Sequence, residues 1–113
     1  MSLFAETWQN GRDPLPSNCT GDLFVKNIQQ LQLTEGPEYH SSQDHSKWAV
    51  SADRAKPVLC VGGINRMLAQ TTRGGGTFCF ESASIHEEMS DAIQQVEECG
   101  GTVWRREEHG MLL

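Results

Sequence analysis

The four cysteines constrain the folding of this chain more than any other feature of its sequence. Cys19, Cys60, Cys79 and Cys99 form no CxxC pair, although structural zinc sites usually place their cysteine ligands in such close pairs. An even number of cysteines spread over a small chain fits two disulfides, which form in oxidising compartments. Spacing leaves every pairing open, including a nested one of Cys60 with Cys79 and Cys19 with Cys99. Four buried free thiols are the alternative.

A glycosylation motif indicates the same kind of compartment. Asn18-Cys19-Thr20 is an N-glycosylation sequon with a permitted middle residue. The first residues of the chain, however, have neither the basic n-region nor the apolar h-region of a signal peptide. Both observations are accommodated if the chain is the C-terminal part of a longer protein or a truncated product. Its 113 residues have the length of a single small domain.

The charge balance of the chain is acidic. Nine Lys and Arg against 15 Asp and Glu give a net charge of -6 with His neutral, whereas nucleic-acid-binding proteins usually carry a basic surface. At a pH of about 5, histidines of ordinary pKa are almost fully protonated, and four of them would bring the net charge to -2. We therefore expect DNA affinity to rise on acidification. No apolar run approaches the roughly 18 residues that span a bilayer, so no membrane partner is expected.

A helix is predicted near the end of the chain. Ser84-Ile85-His86-Glu87 has the pattern of a capping box, and apolar residues then recur at helical spacing on one face. Gly100-Gly101 supply the left-handed stop. These features predict a helix over Ile85–Cys99, followed by a short strand that starts at Thr102–Trp104.

The middle of the chain has apolar segments bounded by Gly and Pro, which are typical of consecutive strands in a sheet. We predict strands over Lys47–Ser51, Val58–Val61 and Thr77–Phe80. Leu23–Leu33 is compatible with either a helix or a strand. Leu3–Asn10 looks like the end of a helix that is stopped by the Gly and Pro residues that follow.

His45-Ser46-Lys47 is the principal candidate for chemistry. On a strand, residues i and i+2 point to the same face, so an imidazole and an ammonium would lie side by side. The imidazole can act as a nucleophile or a general acid, and the ammonium can stabilise charge on phosphate oxygens, which suits phosphoryl transfer. A solvated loop is the alternative interpretation of this tripeptide.

Basic and Gly-rich residues follow the second predicted strand. The glycines of Gly62-Gly63-Ile64-Asn65 let a substrate approach the backbone closely. Asn65 offers an amide to a phosphate or to an imidazole, and Arg66 adds a fork-shaped cation that can bind phosphate. Arg73-Gly74-Gly75-Gly76 is a second basic turn, for which a flexible hairpin loop is the alternative.

Four segments, in order and with similar gaps, match a known family: Leu15–Cys19 (LPSNC), Ser42–Val50 (SQDHSKWAV), Cys60–Arg66 (CVGGINR) and Arg73–Cys79 (RGGGTFC). They resemble the C-terminal half of deoxyribonuclease II and cover most of the chain from Thr7 to Cys99. Together they are far more specific than the HxK tripeptide alone.

The resemblance implies an activity and a fold. Deoxyribonucleases II are lysosomal or secreted acid endonucleases that cleave DNA without a metal or other cofactor and leave 3′-phosphate ends. Their fold is similar to that of phospholipase D, with two pseudo-symmetric α/β halves that each give one HxK motif to a shared site. The chain is therefore expected to be one such lobe, of α/β (α+β) class, with a mixed β-sheet flanked by helices.

The resemblance also implies roles for individual residues. His45 would be one of two catalytic histidines, Lys47 its phosphate-binding partner and Asn65 the family's motif asparagine. The expectation that Arg66 and Arg73 bind phosphate or DNA rests on their charge and not on the resemblance. The family's cysteine pairing corresponds to the nested option, Cys60–Cys79 and Cys19–Cys99. One departure is Gly63, because the family usually has Asp at that position.

The second departure is the single HxK motif, because none of the other histidines (His40, His86 and His109) has Lys two residues on. A half-site of this kind needs either an N-terminal half or a second copy in a homodimer. The alternatives are a catalytically inactive fragment that binds DNA or a partner protein, and a disulfide-stapled secreted module of unrelated function.

Overall fold

The computed structural model describes residues 1–8, 13–63, 65–67 and 74–109, with side chains up to residue 107. This part of the chain has two α-helices, α1 (Ala83–Ala92) and α2 (Arg106–His109), and one short 3-10 helix, Ser41–Gln43. The strands are β1 (Leu3–Glu6), β2 (Asn18–Thr20), β3 (Leu23–Leu31), β4 (Tyr39–His40), β5 (Trp48–Ser51), β6 (Val58–Gly62), β7 (Thr77–Glu81), β8 (Ile93–Glu97) and β9 (Val103–Arg105).

All nine strands belong to one mixed sheet. Its main order is β7-β6-β5-β1-β3-β8-β9, and β2 and β4 both pair with β3. β1 and β3 run parallel, and the other pairings are antiparallel. The expected α+β class with a mixed sheet is confirmed.

The central strand β3 pairs with four other strands, and it shows that Leu23–Leu31 of the ambiguous Leu23–Leu33 segment is a strand. Its side chains Ile28 and Leu31 are fully buried and pair with residues of β8. The hydrophobic core is built around them: Phe4, Ile28, Leu31, Trp48, Val50, Leu59, Ala92, Ile93 and Val96. Apolar side chains from five strands and α1 thus share a single core.

The three strands predicted in the middle of the chain are confirmed as β5, β6 and β7. The prediction for β5 started one residue early, because the strand begins at Trp48. The short strand predicted from Thr102 is confirmed as β9. The charged segment after it forms the single turn α2.

The predicted helix over Ile85–Cys99 is wrong in its second half. The helix ends at Ala92, and Ile93–Glu97 is a strand, because the β-branched Ile93 pairs with Leu31 of the central strand. The N-cap is Ser82, whose side chain accepts a hydrogen bond from the N–H of Ile85, and not Ser84.

The helix predicted over Leu3–Asn10 is also wrong where the structure describes it. Leu3–Glu6 forms β1, which pairs with β3 on one side and β5 on the other. Gln9 and Asn10 lie outside the described residues. Hydrogen bonds to two neighbouring strands outweigh the weak local helical pattern.

Both disulfides of the nested pairing are present, and none of the four cysteines is free. Cys60 and Cys79 face each other across β6 and β7, with Cα atoms 4.1 Å apart. Cys19 on β2 bonds to Cys99 just after β8, across 80 residues of sequence. The second bond therefore closes most of the chain into a loop.

In the described part of the chain, no helix is both long and apolar enough to cross a membrane.

Candidate active site at one end of the sheet

The ends of four adjacent strands meet at one end of the sheet. Glu6, the last residue of β1, lies opposite Trp48, the first residue of β5. Trp48 lies opposite Val61 near the end of β6, and Gly62 lies opposite Thr77 at the start of β7. The segments that leave these strands therefore come together, although they are far apart in the sequence.

The HxK motif lies at this end, in the irregular segment before β5. His45 is exposed and Lys47 is half-buried. The side-by-side geometry predicted for a strand does not form, because neither residue is in one; instead the Nζ of Lys47 donates to the carbonyl oxygen of His45, at 3.1 Å. The carbonyl oxygen of Lys47 accepts from the N–H of Gly62, at 3.0 Å, which joins the motif to the end of β6.

Trp8, just beyond β1, was not predicted as a site residue. Its indole stacks on the imidazole of His45, with ring centroids 4.7 Å apart and planes 17° apart. Its indole N–H donates to the carbonyl oxygen of Ser42, at 2.9 Å. Its backbone N–H donates to Oδ1 of Asn65, at 2.9 Å. Trp8 thus contacts three separate segments, and only its position after an apolar stretch could have indicated it.

The structure joins Asn65 to Trp8, which stacks on His45, but gives Arg66 contacts within the protein. The guanidinium of Arg66 donates to Oδ1 of Asn27 and to the carbonyl oxygen of Pro16, both at 2.8 Å. Burial lowers the pKa of Arg66, and the negative charge of nearby Glu97 raises it by a smaller amount. Its predicted role in binding phosphate stays a prediction, and Arg73 lies outside the described residues.

A buried carboxyl lies beneath the HxK motif. Glu6 is fully buried, with its Oε1 2.5 Å from the hydroxyl of Ser41. Burial and the neighbouring carboxyl of Asp44 raise the pKa of Glu6 to about 9, although the Ser41 hydrogen bond lowers it. Glu6 is therefore protonated at neutral and acid pH and can donate to Asp44.

Asp44 is the ionised member of this pair. Burial by itself would raise its pKa, but hydrogen bonds from Glu6 and Ser46 and the charge of His45 together lower it. Its two oxygens accept from the N–H and the hydroxyl of Ser46, at 3.0 and 2.7 Å. The residues on both sides of His45 are thereby fixed to each other and to β1.

The structure does not place the other described histidine side chains beside His45. His86 is buried on α1, where its Nε2 lies 2.8 Å from the carbonyl oxygen of Ser51, at the far end of β5. His40 accepts a hydrogen bond from the N–H of Ser42 through its Nδ1. Among the described residues, no group of three or more His, Cys, Asp or Glu side chains could hold a metal ion.

Two further predicted positions are exposed. Gly63 is exposed beyond β6 and donates its N–H to the carbonyl oxygen of Gly76. Asn18 is exposed on β2, and its Oδ1 accepts from the hydroxyl of Thr20 at 2.8 Å. An apolar cavity between Phe4, Phe24 and Trp104 opens elsewhere, and no described site residue lines it.

Comparisons with known proteins identify the family of this chain. The sequence model of the family described as deoxyribonuclease II matches residues 1–99. This chain belongs to the deoxyribonuclease II family. The matched range contains the HxK motif, Asn65 and all four cysteines, and the resemblance inferred from the sequence is confirmed.

Individual relatives give the same result. Plancitoxin-1 of Acanthaster planci is 41% identical over 97 residues, which cover 86% of this chain and 27% of the relative. Deoxyribonuclease-2-beta of Mus musculus is 42% identical over 86 residues, which cover 75% of this chain and 24% of the relative. Deoxyribonuclease-2-alpha of Sus scrofa is 34% identical over 100 residues, which cover 87% of this chain and 27% of the relative. The chain thus spans about a quarter of the length of these relatives. No solved structure matches it significantly.

Proposed function

We propose that this chain supplies one half of the active site of an acid endodeoxyribonuclease. The observation that carries the proposal is that Trp8 contacts both His45 and Asn65 at the end of the sheet where Lys47 is joined to β6, in a deoxyribonuclease II family member. Several relatives are named deoxyribonucleases, and an exposed imidazole with a lysine two residues away in the same segment suits a phosphodiester substrate.

In the proposed reaction, one histidine attacks the phosphorus of a DNA phosphodiester and a second protonates the departing 5′ oxygen. The P–O5′ bond breaks, and water then releases the phosphoryl group from the attacking histidine, which leaves a 3′-phosphate. His45 performs one of these two roles. Lys47 and the amide of Asn65 stabilise charge on the phosphate oxygens, and no metal takes part.

The second histidine comes from outside this chain's single motif. We propose that the sheet is one lobe of a phospholipase D-like fold and that the other lobe is an N-terminal half or a second copy in a homodimer. Two results would support the homodimer: a dimeric mass in solution, and a cleavage rate that rises more than proportionally with the concentration of the purified chain. Cleavage only after a separately produced N-terminal half is added would support the two-part chain.

The proposed activity is tested by plasmid cleavage at a pH of about 5 with EDTA present. We expect the active assembly to lose cleavage on His45→Ala and to retain it on His40→Ala, the matched control. Products should accept terminal extension only after a 3′-phosphatase treatment. Equal cleavage by the wild type and the His45→Ala variant would refute the catalytic assignment.

A binding protein without hydrolytic activity is the second candidate function. It is favoured by the single HxK motif and by Gly63, which stands where the family usually has Asp. A DNA titration at pH 5 and pH 7.5 separates the candidates when it is combined with the cleavage assay. Tighter binding at pH 5 by a strict monomer that cleaves no DNA would favour this alternative.

We also propose that the protein acts in lysosomes or outside the cell. The two disulfides and the exposed sequon at Asn18 support an oxidising, glycosylating route. The test is expression through a secretory pathway, with an Asn18→Gln control. A mass decrease on N-glycan removal, absent from the Asn18→Gln variant, would support the assignment, and an unglycosylated wild type would count against use of the sequon.

A further inference from the structure

The imidazole of His45 has no hydrogen-bonding partner within the described part of the chain. Its one ring contact there is the stack on Trp8, while the hydrogen bonds of Asp44, Ser46 and Lys47 hold the backbone and side chains on either side. An exposed histidine in an irregular segment would otherwise sample several rotamers. The stack is therefore the contact that selects the plane of the ring and leaves both ring nitrogens available to a substrate.

The indole that makes this stack is itself fixed. Trp8 follows β1, which is hydrogen-bonded on both sides, and comes directly after Glu6 and Thr7, which are both buried. The indole N–H bond to the carbonyl oxygen of Ser42 then sets the rotation of the ring. A rigid strand end thus presents one face of the indole to His45.

The same residue also holds Asn65. The backbone N–H of Trp8 donates to Oδ1 of Asn65, which lies 57 residues away in the sequence, so it determines which end of the amide faces the strand. Two predicted site residues from different loops are consequently placed relative to one rigid residue.

We propose that Trp8 is the positioning residue of this half-site, and that its indole and backbone fix His45 and Asn65 in one orientation toward the phosphodiester. This inference rests on the proposed function for its catalytic consequence, but its structural part can be measured without activity. Small displacements of a reacting group reduce turnover more than binding, because they act on the geometry of the reacting atoms.

The experiment compares the wild type with Trp8→Ala, Trp8→Phe and Trp104→Ala. Trp104→Ala is the matched control, because Trp104 lies away from the site, beside the cavity lined by Phe4 and Phe24. The ring resonances of His45, assigned with His45→Ala, are recorded by NMR at pH 5. Plasmid cleavage is then measured in the assembly that cleaves, with kcat and KM determined separately, and thermal unfolding verifies that each variant is folded.

In the wild type we expect the His45 ring protons to be displaced upfield by the indole ring current. Trp8→Ala should remove this displacement and lower kcat about tenfold to a hundredfold, with KM changed less than about threefold. Trp8→Phe should restore part of the displacement and most of kcat, since it keeps an aromatic face. Trp104→Ala should leave the His45 resonances and kcat unchanged.

Other results would overturn the inference. His45 resonances that are unaffected by Trp8→Ala would show that the stack does not orient the ring. Altered resonances with unchanged kcat would show that orientation by Trp8 does not matter for cleavage. If the wild type has no His45-dependent cleavage, the proposed function fails, and the NMR comparison by itself decides whether Trp8 positions His45.

Discussion

At the scale of single residues, the site depends on contacts that local sequence patterns do not contain. Glu6 contributes a buried, protonated carboxyl beneath the HxK motif, and Trp8 contributes an aromatic face. Both belong to a segment that the sequence predicted as a helix. Glu6 ends β1 and Trp8 lies two residues further on, so an extended backbone directs both side chains to the same side of the sheet, where the HxK segment lies.

The protonation of Glu6 predicts how stability depends on pH. Its pKa is about 9 in the folded protein and 4.5 in the unfolded chain, so unfolding between these values releases a proton. The free energy of unfolding should therefore decrease by up to about 1.4 kcal/mol per pH unit as pH rises from 4.5 toward 9. The lowered pKa of Asp44 has the opposite effect: it decreases the free energy of unfolding as pH falls, and only near and below pH 3.8.

Replacement of Glu6 by Gln should remove most of the decrease in the free energy of unfolding above pH 4.5, because the amide does not ionise and can still donate to Asp44. Urea unfolding of the wild type and of Glu6→Gln between pH 5 and pH 8 measures the effect, with Glu87→Gln on the exposed face of α1 as the matched control. We expect the variant to be the more stable protein at pH 8 and the two to converge near pH 5. Parallel pH profiles would contradict the assignment of a buried, protonated Glu6.

At the scale of elements, the sequence predicted the strands near the disulfide Cys60–Cys79 well and the last helix poorly. β5, β6 and β7 are short apolar segments bounded by Gly and Pro, and each lies next to its neighbour in the chain. α1 is followed directly by β8, and the apolar residues of the two elements together have the spacing of one long amphipathic helix. Pairing of Ile93 with β3 ends the helix, and this long-range contact has no local signal.

The position of the N-cap of α1 can be tested by two serine substitutions. The hydroxyl of Ser82 accepts from the N–H of Ile85 at 3.3 Å, so Ser82→Ala should lower the free energy of unfolding by about 0.5–1 kcal/mol. Ser84→Ala lies inside the first turn and should be neutral or slightly stabilising, because Ala has the higher helix propensity. Urea unfolding of both variants is the measurement, and a larger loss for Ser84→Ala would favour the capping box predicted from the sequence.

At the scale of the whole molecule, two disulfides close very different lengths of chain around one sheet. Cys19–Cys99 joins the β2 and β8 regions across 80 residues, and Cys60–Cys79 joins two paired strands across 19 residues. Long closed loops restrict the unfolded chain more than short ones. The longer bond should therefore make the larger contribution to stability.

This difference predicts the order of two double variants. In the chain-entropy treatment, loss of Cys19–Cys99 costs about 4.5 kcal/mol and loss of Cys60–Cys79 about 3 kcal/mol. Cys19→Ser with Cys99→Ser should consequently unfold at lower urea concentration than Cys60→Ser with Cys79→Ser. The reverse order would indicate that strand pairing, and not closure of the long loop, dominates the contribution of the disulfides.

The sequence by itself determined the family, the HxK motif, Asn65, four of the strands and, through the resemblance, both disulfides. These features depend on residue identities and on spacings within short segments, which can be read along the chain. Only the tertiary structure decided that Leu3–Glu6 is a strand, that α1 ends at Ala92, and that Trp8 and Glu6 support His45. The reason is that these outcomes depend on contacts between distant segments, such as the bond between Trp8 and Asn65 across 57 residues, which local periodicity does not encode.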